Sequence, residues 1–430
     1  MTDFDYVIIG NSAAGIGACE GIRKLDADGS IVVVSDETTM PYSRCLLTGY
    51  ISGKVLAKNL FFRPERFYQK NRIDLRLGKK AVSVEPVSRK VRLDDGQTLH
   101  YGKLLLATGS KALQYEIRGK ELPGVFVLRT LDDAERISQA ASKAKRAVVM
   151  GGGLVGLGSA MALRTLGLEV CVVVASQAIL SQNIDIQGAR MLVKHLEQNG
   201  LKFVFGVDVV EIHGETQVKG VHLSDGRNLE CDLVISAKGV RMNTELAASA
   251  GVKVERGALV DEHMRTDVPG IYAAGDVAQA KEFLTGKSEV LTIWPVAAEQ
   301  GKVAGMNMAG SDTVYPGSVP MNTMDFFGLP VVSIGETRQP KDPNGLEFLS
   351  SVDEEKGHYR KVVLRDGRVV GAILMGDTEN AGAYTSLICT RVDVGKVRGL
   401  LLGKDFDYAK LVDAMLIRNP SYLDPTAPSA

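Results

Sequence analysis

The first apolar run of the chain, at residues 5–9, predicts a short buried strand, and a glycine-rich turn at residues 10–15 follows it directly. A helix through about residue 25 and a second apolar run at residues 31–34 come next. A strand, a tight turn, a helix and a second strand in this order are typical of a dinucleotide-binding unit of the Rossmann type. The pattern therefore predicts such a unit at the start of this sequence.

The turn at residues 10–15 is a G-x-S-x-x-G version of the dinucleotide-binding fingerprint. Gly10 permits the tight turn, the small Ser12 lets the backbone approach a diphosphate, and Gly15 lets the helix pack against the strand. An acidic side chain after the second strand can bind ribose hydroxyls. The predicted contacts of this site are Gly10, Ser12, Ala13, Ala14, Gly15, Asp36 and Glu37.

A second unit of the same kind is predicted further along the chain. An apolar strand at residues 146–150 enters a glycine-rich turn at 151–156, and a helix through residue 166 and a strand at 170–174 follow. Residues 175–177 read Ala-Ser-Gln, so the acid that binds an NAD ribose and the arginine that favours NADP are both missing. A vestigial, structural unit therefore stays open as an alternative. The predicted nucleotide contacts are Gly151, Gly153, Leu154, Val155 and Gly156.

Composition limits the possible functions. The 430 residues suggest about three domains, and the net charge of zero, from 51 basic and 51 acidic residues, argues against a nucleic-acid partner. The sequence shows no apolar run of about 18 residues and no signal peptide, so we expect a soluble, cytoplasmic protein without a membrane span. The five cysteines form no C-x-x-C pair, so neither a disulfide framework nor a bound metal is expected. Any iron–sulfur centre would belong to a partner.

Four further segments resemble motifs of the FAD-dependent pyridine nucleotide–disulfide oxidoreductase superfamily, and the likeness covers nearly the whole chain. Residues 103–110 look like the segment where the chain leaves the FAD domain, and residues 266–276 like the second FAD motif, whose Asp binds the ribityl chain. Residues 294–301 resemble the helix over the flavin pyrimidine end, and residues 234–243 the segment that closes the NAD domain. The resemblance implies FAD contacts at Ala107, Thr108, Gly109, Gly275, Asp276, Trp294 and Gln300, and an NAD(P) contact at Gly239.

Within this superfamily the chain is similar to the group that holds NADH oxidases, coenzyme A disulfide reductases, and ferredoxin, rubredoxin and nitrite reductases. The evidence is the run at residues 41–48, in which Arg44 takes the family position toward the cofactor phosphate or adenine. Gly49 replaces a lysine that relatives place near flavin N5. Residues 361–376 alternate as a hairpin with a turn at 366–367 and resemble the interface domain of this group, which usually forms a homodimer.

The motifs together imply an α/β fold with two Rossmann-like dinucleotide-binding domains, the NAD domain being inserted in the FAD domain, plus a C-terminal α+β interface domain. The expected bounds are residues 1–112 and 245–317 for the FAD-binding domain, 113–244 for the NAD(P)-binding domain, and 318–430 for the interface domain. The expected cofactors are FAD and a nicotinamide, with NAD(H) favoured over NADP(H).

The resemblance implies an FAD-dependent NAD(P)H:acceptor oxidoreductase. It would exchange hydride with a nicotinamide and electrons with a redox partner, either an iron–sulfur protein or the other subunits of a multi-subunit oxidoreductase. Phenylglyoxylate dehydrogenases and NAD-linked tungsten aldehyde oxidoreductases carry a similar flavin subunit of this size. The His-Pro and Glu pair of disulfide reductases is not evident near the C-terminus, which argues against a glutathione-reductase-like mechanism.

Two alternatives stay open. Cys45 falls where NADH oxidases and coenzyme A disulfide reductases place a single redox cysteine. A partly exposed thiol at a helix start would have a lowered pKa, so Cys45 could make the chain an oxidase, a peroxidase or a coenzyme A disulfide reductase. A small packing residue is the simpler interpretation of Cys45. The second alternative is a flavin-bearing structural or sensing subunit without nicotinamide turnover, which the missing ribose acid suggests.

Overall fold

The computed structural model describes residues 2–338 and 345–403, together with residues 406, 409 and 411. The described residues of 1–144 and 235–318 form one compact unit, called unit 1. Those of 145–234 and 319–430 form a second, called unit 2. The domain bounds expected from the sequence stay a prediction. None of the helices in these described parts is both long and apolar enough to cross a membrane.

Helices and strands alternate along most of the described chain. The α-helices are α1 (Ala13–Leu25), α2 (Leu47–Ile51), α3 (Glu65–Lys70), α4 (Leu131–Ala141), α5 (Leu154–Thr165), α6 (Ile186–Gln198), α7 (Glu245–Ser249), α8 (Trp294–Met308) and α9 (Ala381–Thr390). Short 3₁₀ turns occupy Arg44–Leu46, Ala57–Asn59, Gly275–Val277 and Gly395–Leu400.

The strands fall into several separate sheets. They are β1 (Thr2–Ile9), β2 (Ile31–Ser35), β3 (Ile73–Leu77), β4 (Ala81–Glu85), β5 (Lys90–Leu93), β6 (Thr98–Leu106), β7 (Ser110–Ala112), β8 (Val125–Val127), β9 (Arg146–Met150), β10 (Glu169–Val174), β11 (Leu201–Phe205), β12 (Val209–His213), β13 (Gly220–Leu223), β14 (Asn228–Glu230), β15 (Leu233–Ser236), β16 (Val240–Met242), β17 (Ala258–Leu259), β18 (Ile271–Ala273), β19 (Ala278–Lys281), β20 (Ser288–Glu289), β21 (Met321–Phe326), β22 (Leu329–Gly335), β23 (Leu346–Asp353), β24 (His358–Arg365) and β25 (Arg368–Met375).

The main sheet of unit 1 has the strand order β3-β2-β1-β6-β5-β4, and β18 also pairs with β6. Strands β2, β6 and β18 run parallel to their neighbours in the part of the sheet around β1. Their apolar runs are buried on both faces, as is usual for parallel strands. Ile9 pairs with both Val34 and Leu106, so the carboxyl ends of three strands meet at one edge of the sheet.

Two helices of unit 1, α1 and α8, cross at very short range because glycines line their contact. A methyl group added to Gly17 would lie 2.3 Å from the carbonyl oxygen of Ala298. One added to Gly301 would lie 2.0 Å from the carbonyl oxygen of Ala14. The start of α8 is therefore held close to the glycine-rich turn that precedes α1.

Unit 2 combines a parallel sheet with an antiparallel one. Strands β11, β10 and β9 run parallel to one another, which confirms the second Rossmann-like pattern. The antiparallel sheet has the order β21-β22-β25-β24-β23. Its β24–β25 hairpin turns at Asp366 and Gly367, whose φ angles are +49° and +73°. The hairpin predicted at residues 361–376 is thus confirmed.

Candidate functional site

A cavity of about 740 Å³ opens in unit 1 at the carboxyl ends of β1, β2, β6 and β18. Ligands of parallel α/β sheets bind at this edge. Most of the residues assigned from the sequence to FAD line it, namely Gly10, Ser12, Ala13, Ala14, Asp36, Glu37, Arg44, Ala107, Thr108, Gly109, Gly275, Asp276 and Trp294, and Cys45 joins them. Gly15 and Gln300 do not line the cavity.

The glycine-rich turn brings two strand ends into direct contact. Gly10 has a φ of +121°, and a methyl group added to it would lie 2.1 Å from the carbonyl oxygen of Ala107. One added to Gly15 would lie 1.9 Å from the carbonyl oxygen of Gly10, so Gly15 serves the packing of α1 against the turn. These are the roles predicted for both glycines.

Helix α1 points its N-terminus at the cavity wall. Its N-cap residue, Ser12, makes no side-chain capping hydrogen bond, and no acidic residue lies in the first turn. The first backbone N–H groups of a helix lack acceptors within the helix, and they carry the positive end of its dipole. A diphosphate bound beside Ser12, Ala13 and Ala14 would accept from these groups.

Glu37 and Arg44 form an ion pair in the cavity wall. Tyr42 donates its hydroxyl hydrogen to the carboxylate of Glu37 at 2.5 Å, and it accepts from the backbone N–H of Leu131 at 3.0 Å. Burial raises the pKa of Tyr42, so its hydroxyl remains a donor. Glu37 is therefore held by two donors, whereas the neighbouring Asp36 is exposed.

Asp276 is anchored by a residue that sequence reasoning missed. Arg129 donates to the Asp276 carboxylate at 2.6 Å, and Ser110 donates to the same oxygen at 2.7 Å. Arg129 also lines the cavity, where its charge faces any bound anion. A capping box formed by Thr130 and Asp133 at the start of α4 fixes the adjoining backbone. The T-x-x-D spacing is readable from the sequence, but it marks only a helix start.

We expect Arg129→Leu to weaken FAD binding by about a hundredfold, roughly 2–3 kcal/mol. The change removes a positive charge from the cavity and leaves the carboxylate of Asp276 with Ser110 as its remaining donor. The dissociation constant is measured by flavin fluorescence as the apoprotein is reconstituted. Arg136→Leu is the matched control, because Arg136 is an exposed arginine of α4 that pairs with Asp132 and Asp133 rather than with Asp276. Equal losses in both variants would assign the effect to α4 rather than to Asp276.

Gln300 does not reach the cavity, because it is turned into the core. Only 2% of it is exposed, and its side-chain oxygen accepts from the backbone N–H of Gly275 at 2.9 Å. Its amide also lies 3.4 Å from the hydroxyl of Tyr315. Gln300 thus supports the turn that carries Asp276 and makes no contact with the cavity itself.

Cys45 lies in the 3₁₀ turn Arg44–Leu46, not at the start of an α-helix. The residue is exposed and also lines the cavity, so the cavity wall and the outer surface meet here. Desolvation by the surrounding protein raises the pKa of its thiol, and the hydrogen bond with Ser43 only partly opposes this. The lowered pKa expected from the sequence is therefore wrong.

The second glycine-rich turn lies in unit 2, between β9 and α5. Gly151 has a φ of +120°, and α5 begins at Leu154 after the N-cap Gly153, again without a side-chain cap. Strand β10 ends at Val174, and the hydroxyl of Ser176 donates to the carbonyl of Ala178 at 2.7 Å. The turn keeps the form of a nucleotide-binding site, and the nucleotide contacts assigned to Gly151, Gly153, Leu154, Val155, Gly156 and Gly239 stay predictions.

Two family models match the chain. One, described as pyridine nucleotide-disulphide oxidoreductase, matches residues 4–301. The other, described as the rubredoxin NAD+ reductase C-terminal domain, matches residues 320–392.

The chain is also similar to individual proteins. It is 35% identical over 396 residues to the NADH-dependent phenylglyoxylate dehydrogenase subunit epsilon of Aromatoleum evansii. The matched residues make up 91% of this chain and 93% of that subunit. It is 34% identical over 376 residues, 87% of its length, to the assimilatory nitrate reductase electron transfer subunit of Bacillus subtilis, of which it spans 48%. The crystal structure of a ferredoxin reductase for the CYP199A2 system from Rhodopseudomonas palustris superposes with a TM-score of 0.86 at 28% identity, over 94% of this chain and 99% of that one.

FAD is the cofactor of the family that the first model describes, and the cavity fits it. Because Gly10 has no side chain and packs closely against Ala107, the cavity wall beside the start of α1 consists of backbone rather than side chains. Two buried polar atoms in the wall, the amide nitrogen of Asn11 and the hydroxyl of Thr39, lack partners among the described residues. Buried polar groups without partners are rare, and a bound polar ligand or water accounts for them. The volume also lies in the range of cofactor sites.

Proposed function

Because the chain belongs to the pyridine nucleotide-disulphide oxidoreductase family, we propose that it is an NADH:acceptor oxidoreductase whose acceptor is an iron–sulfur protein or the other subunits of a complex. The cysteine content of the cavity carries this proposal. Of the residues that line it, Cys45 alone is a cysteine, and no disulfide joins any of the described cysteines. A dithiol–disulfide relay needs two cysteines, so electrons would pass to a separate partner.

The chain's own residues would bind and orient FAD. The N-terminus of α1 would hold the diphosphate, Asp276 the sugar alcohol, and Glu37 or Asp36 the ribose, while Trp294 and the start of α8 would cover the pyrimidine end. Bound FAD would supply the capacity to accept a hydride and to release single electrons. The glycine-rich turn at residues 151–156 would bind the nicotinamide cofactor. NADH is favoured because the relative from Aromatoleum evansii is NADH-dependent.

An anaerobic titration tests this function. We expect NADH to bleach the flavin absorbance band within seconds and NADPH to do so more slowly, with ferricyanide then restoring the band. Gly153→Val, which adds a side chain at the start of α5, should slow the bleaching while the FAD content stays unchanged. A flavin band that neither nucleotide bleaches would support a structural or sensing subunit instead. We further propose a cytoplasmic location, since the described cysteines form no disulfide, as is typical of proteins in reducing compartments.

A cysteine-dependent oxidase, peroxidase or coenzyme A disulfide reductase is the second candidate, because Cys45 lies where the cavity meets the surface. The raised pKa of its thiol argues against it, since the thiolate is the reactive form. We therefore expect Cys45→Ser to leave flavin reoxidation by oxygen, peroxide and coenzyme A disulfide within about twofold of the unmodified protein. Cys389→Ser, at an exposed cysteine that does not line the cavity, is the control. A loss of about tenfold or more in Cys45→Ser alone would favour the second candidate.

A further inference from the structure

Residues 43–61 form a surface segment whose two ends lie side by side at Tyr42, a residue of the cavity wall. Tyr42, which lines the cavity, pairs with Phe61 across an antiparallel bridge. The backbone N–H of Ser43 donates to the carbonyl of Leu60 at 2.9 Å, and that of Phe62 donates to Pro41 at 3.1 Å. The segment is thus fixed at the cavity by both of its ends.

This segment exposes large apolar side chains although it is well anchored. Leu47, Ile51 and Leu60 are at most 2% exposed and hold it to the unit. Leu46, Leu56 and Phe61, by contrast, are 37%, 58% and 38% exposed. The backbone bond from Val55 to Gly49 at 3.0 Å also closes the segment on itself. These three side chains are therefore displayed by an ordered structure.

The part of the chain that contains these side chains is basic, although the whole chain has zero net charge. Residues 46–70 contain five lysines and arginines and one acidic residue, Glu65, which gives a charge of +4. Arg63 pairs with Glu20, but Lys54, Lys58, Arg66 and Lys70 are exposed and have no salt bridge to any residue the structure describes. Cationic groups around apolar side chains complement an acidic surface with an apolar centre.

We propose that Leu46, Lys54, Leu56, Lys58, Phe61 and Arg66, the docking face, bind an acidic iron–sulfur protein or subunit. The inference rests on the proposed function and names the chemistry of its acceptor. Cys45 joins the docking face to the cavity, because it lines the cavity and is itself exposed next to Leu46. An acceptor bound here would lie against the wall of the cofactor site, which a short electron-transfer distance requires.

The charge test compares two double variants of the FAD-loaded full chain. Lys54→Glu with Lys58→Glu reverses two charges on the docking face. Lys219→Glu with Lys356→Glu makes the same change at exposed lysines of unit 2. The probe is a plant-type [2Fe–2S] ferredoxin, an acidic protein, reduced with NADH while an excess of cytochrome c reoxidises it. Because such a ferredoxin has a lower potential than NADH, the reduction of cytochrome c draws the electrons through it and is followed by absorbance. At low salt we expect the first variant to raise KM for the ferredoxin about tenfold or more and the control less than twofold, both with unchanged kcat.

The salt dependence of KM and a variant of an apolar residue distinguish the charged contribution of the docking face from its apolar contribution. KM of the unmodified protein should rise with ionic strength, and that of the Lys54→Glu, Lys58→Glu variant should barely change. Leu56→Ser should raise KM about fivefold or more at every salt concentration, whereas Leu25→Ser, at a leucine 49% exposed on α1, should not.

Several results would overturn the docking face. One is an equal rise of KM in the two double variants, and another is a protein that reduces ferricyanide with NADH but not the ferredoxin. Binding to phosphatidylglycerol vesicles that Lys54→Glu with Lys58→Glu abolishes, with ferredoxin reduction unaffected, would assign the face to a membrane. None of these results bears on the proposed reaction with the nicotinamide. That proposal is tested separately, and it is wrong if NADH does not bleach the flavin band.

Discussion

Gly10→Ala is expected to yield protein without flavin and with a stability loss of about 4 kcal/mol or more. The added methyl carbon would lie 2.1 Å from the carbonyl oxygen of Ala107, and the φ of +121° is one that residues with a side chain rarely adopt. To avoid this collision the carboxyl ends of β1 and β6 must move apart. That movement would break the hydrogen bond that the backbone N–H of Ala107 donates to the carbonyl of Ile9 at 2.8 Å. FAD content is read from the absorbance spectrum and stability from urea unfolding.

Gly53→Ala is the matched control for Gly10→Ala. Gly53 also has a positive φ, of +76°, but nothing lies within 4 Å of an added methyl group. The control therefore carries the backbone strain without the collision, and we expect a loss of about 1 kcal/mol with full FAD content. If Gly10→Ala instead behaved like Gly53→Ala, the close approach of the two strand ends would not support the cofactor site.

The local parts of the site could be predicted because short sequence patterns determine them. A continuous apolar strand followed by G-x-S-x-x-G allows few backbone paths, and the structure places Gly10 and Gly15 in the contacts that the pattern predicts. The hairpin at residues 366–367 follows from the same kind of local pattern. The order β3-β2-β1 in the parallel part of the main sheet agrees with the Rossmann pattern for a similar reason, since parallel strands need helical crossovers.

Contacts between distant residues could not be predicted in this way. Arg129 and Asp276 are 147 positions apart, and no glycine or periodic pattern marks the arginine. Gln300 follows the family motif, but the rotation of α8 turns its side chain to Gly275 and the core. The pKa of Cys45 depends on how much protein surrounds the thiol, a property of the folded structure that a sequence position does not report.

Lys361→Met is expected to destabilise unit 2 by about 3–5 kcal/mol, because it removes the positive charge that pairs with the largely buried carboxylate of Asp185. The side chains of Lys361 and Asp185 are 6% and 16% exposed, and their nitrogen and oxygen atoms lie 2.8 Å apart. Asp185 also caps α6 by accepting from the backbone N–H of Gly188 at 3.0 Å, and it accepts from Tyr359 at 2.7 Å. Lys194→Met, at an exposed pair 3.9 Å from Glu354, is the control and should change stability little.

The pH dependence of unfolding shows which interaction is lost in Lys361→Met. Desolvation raises the pKa of Asp185, but the bonds from Lys361, Gly188 and Tyr359 outweigh it, so the pKa lies below its ordinary value of 3.8. In the unmodified protein this carboxylate therefore contributes stability above about pH 4, and the contribution is lost as the pH falls through the lowered pKa. Without the lysine, we expect desolvation to outweigh the hydrogen bonds from Gly188 and Tyr359, so that the pKa rises and the protonated acid is favoured. The deficit of Lys361→Met, measured by urea unfolding, should thus shrink as the pH falls from 7 toward 4, and a deficit independent of pH would show that lost packing, not charge, causes it.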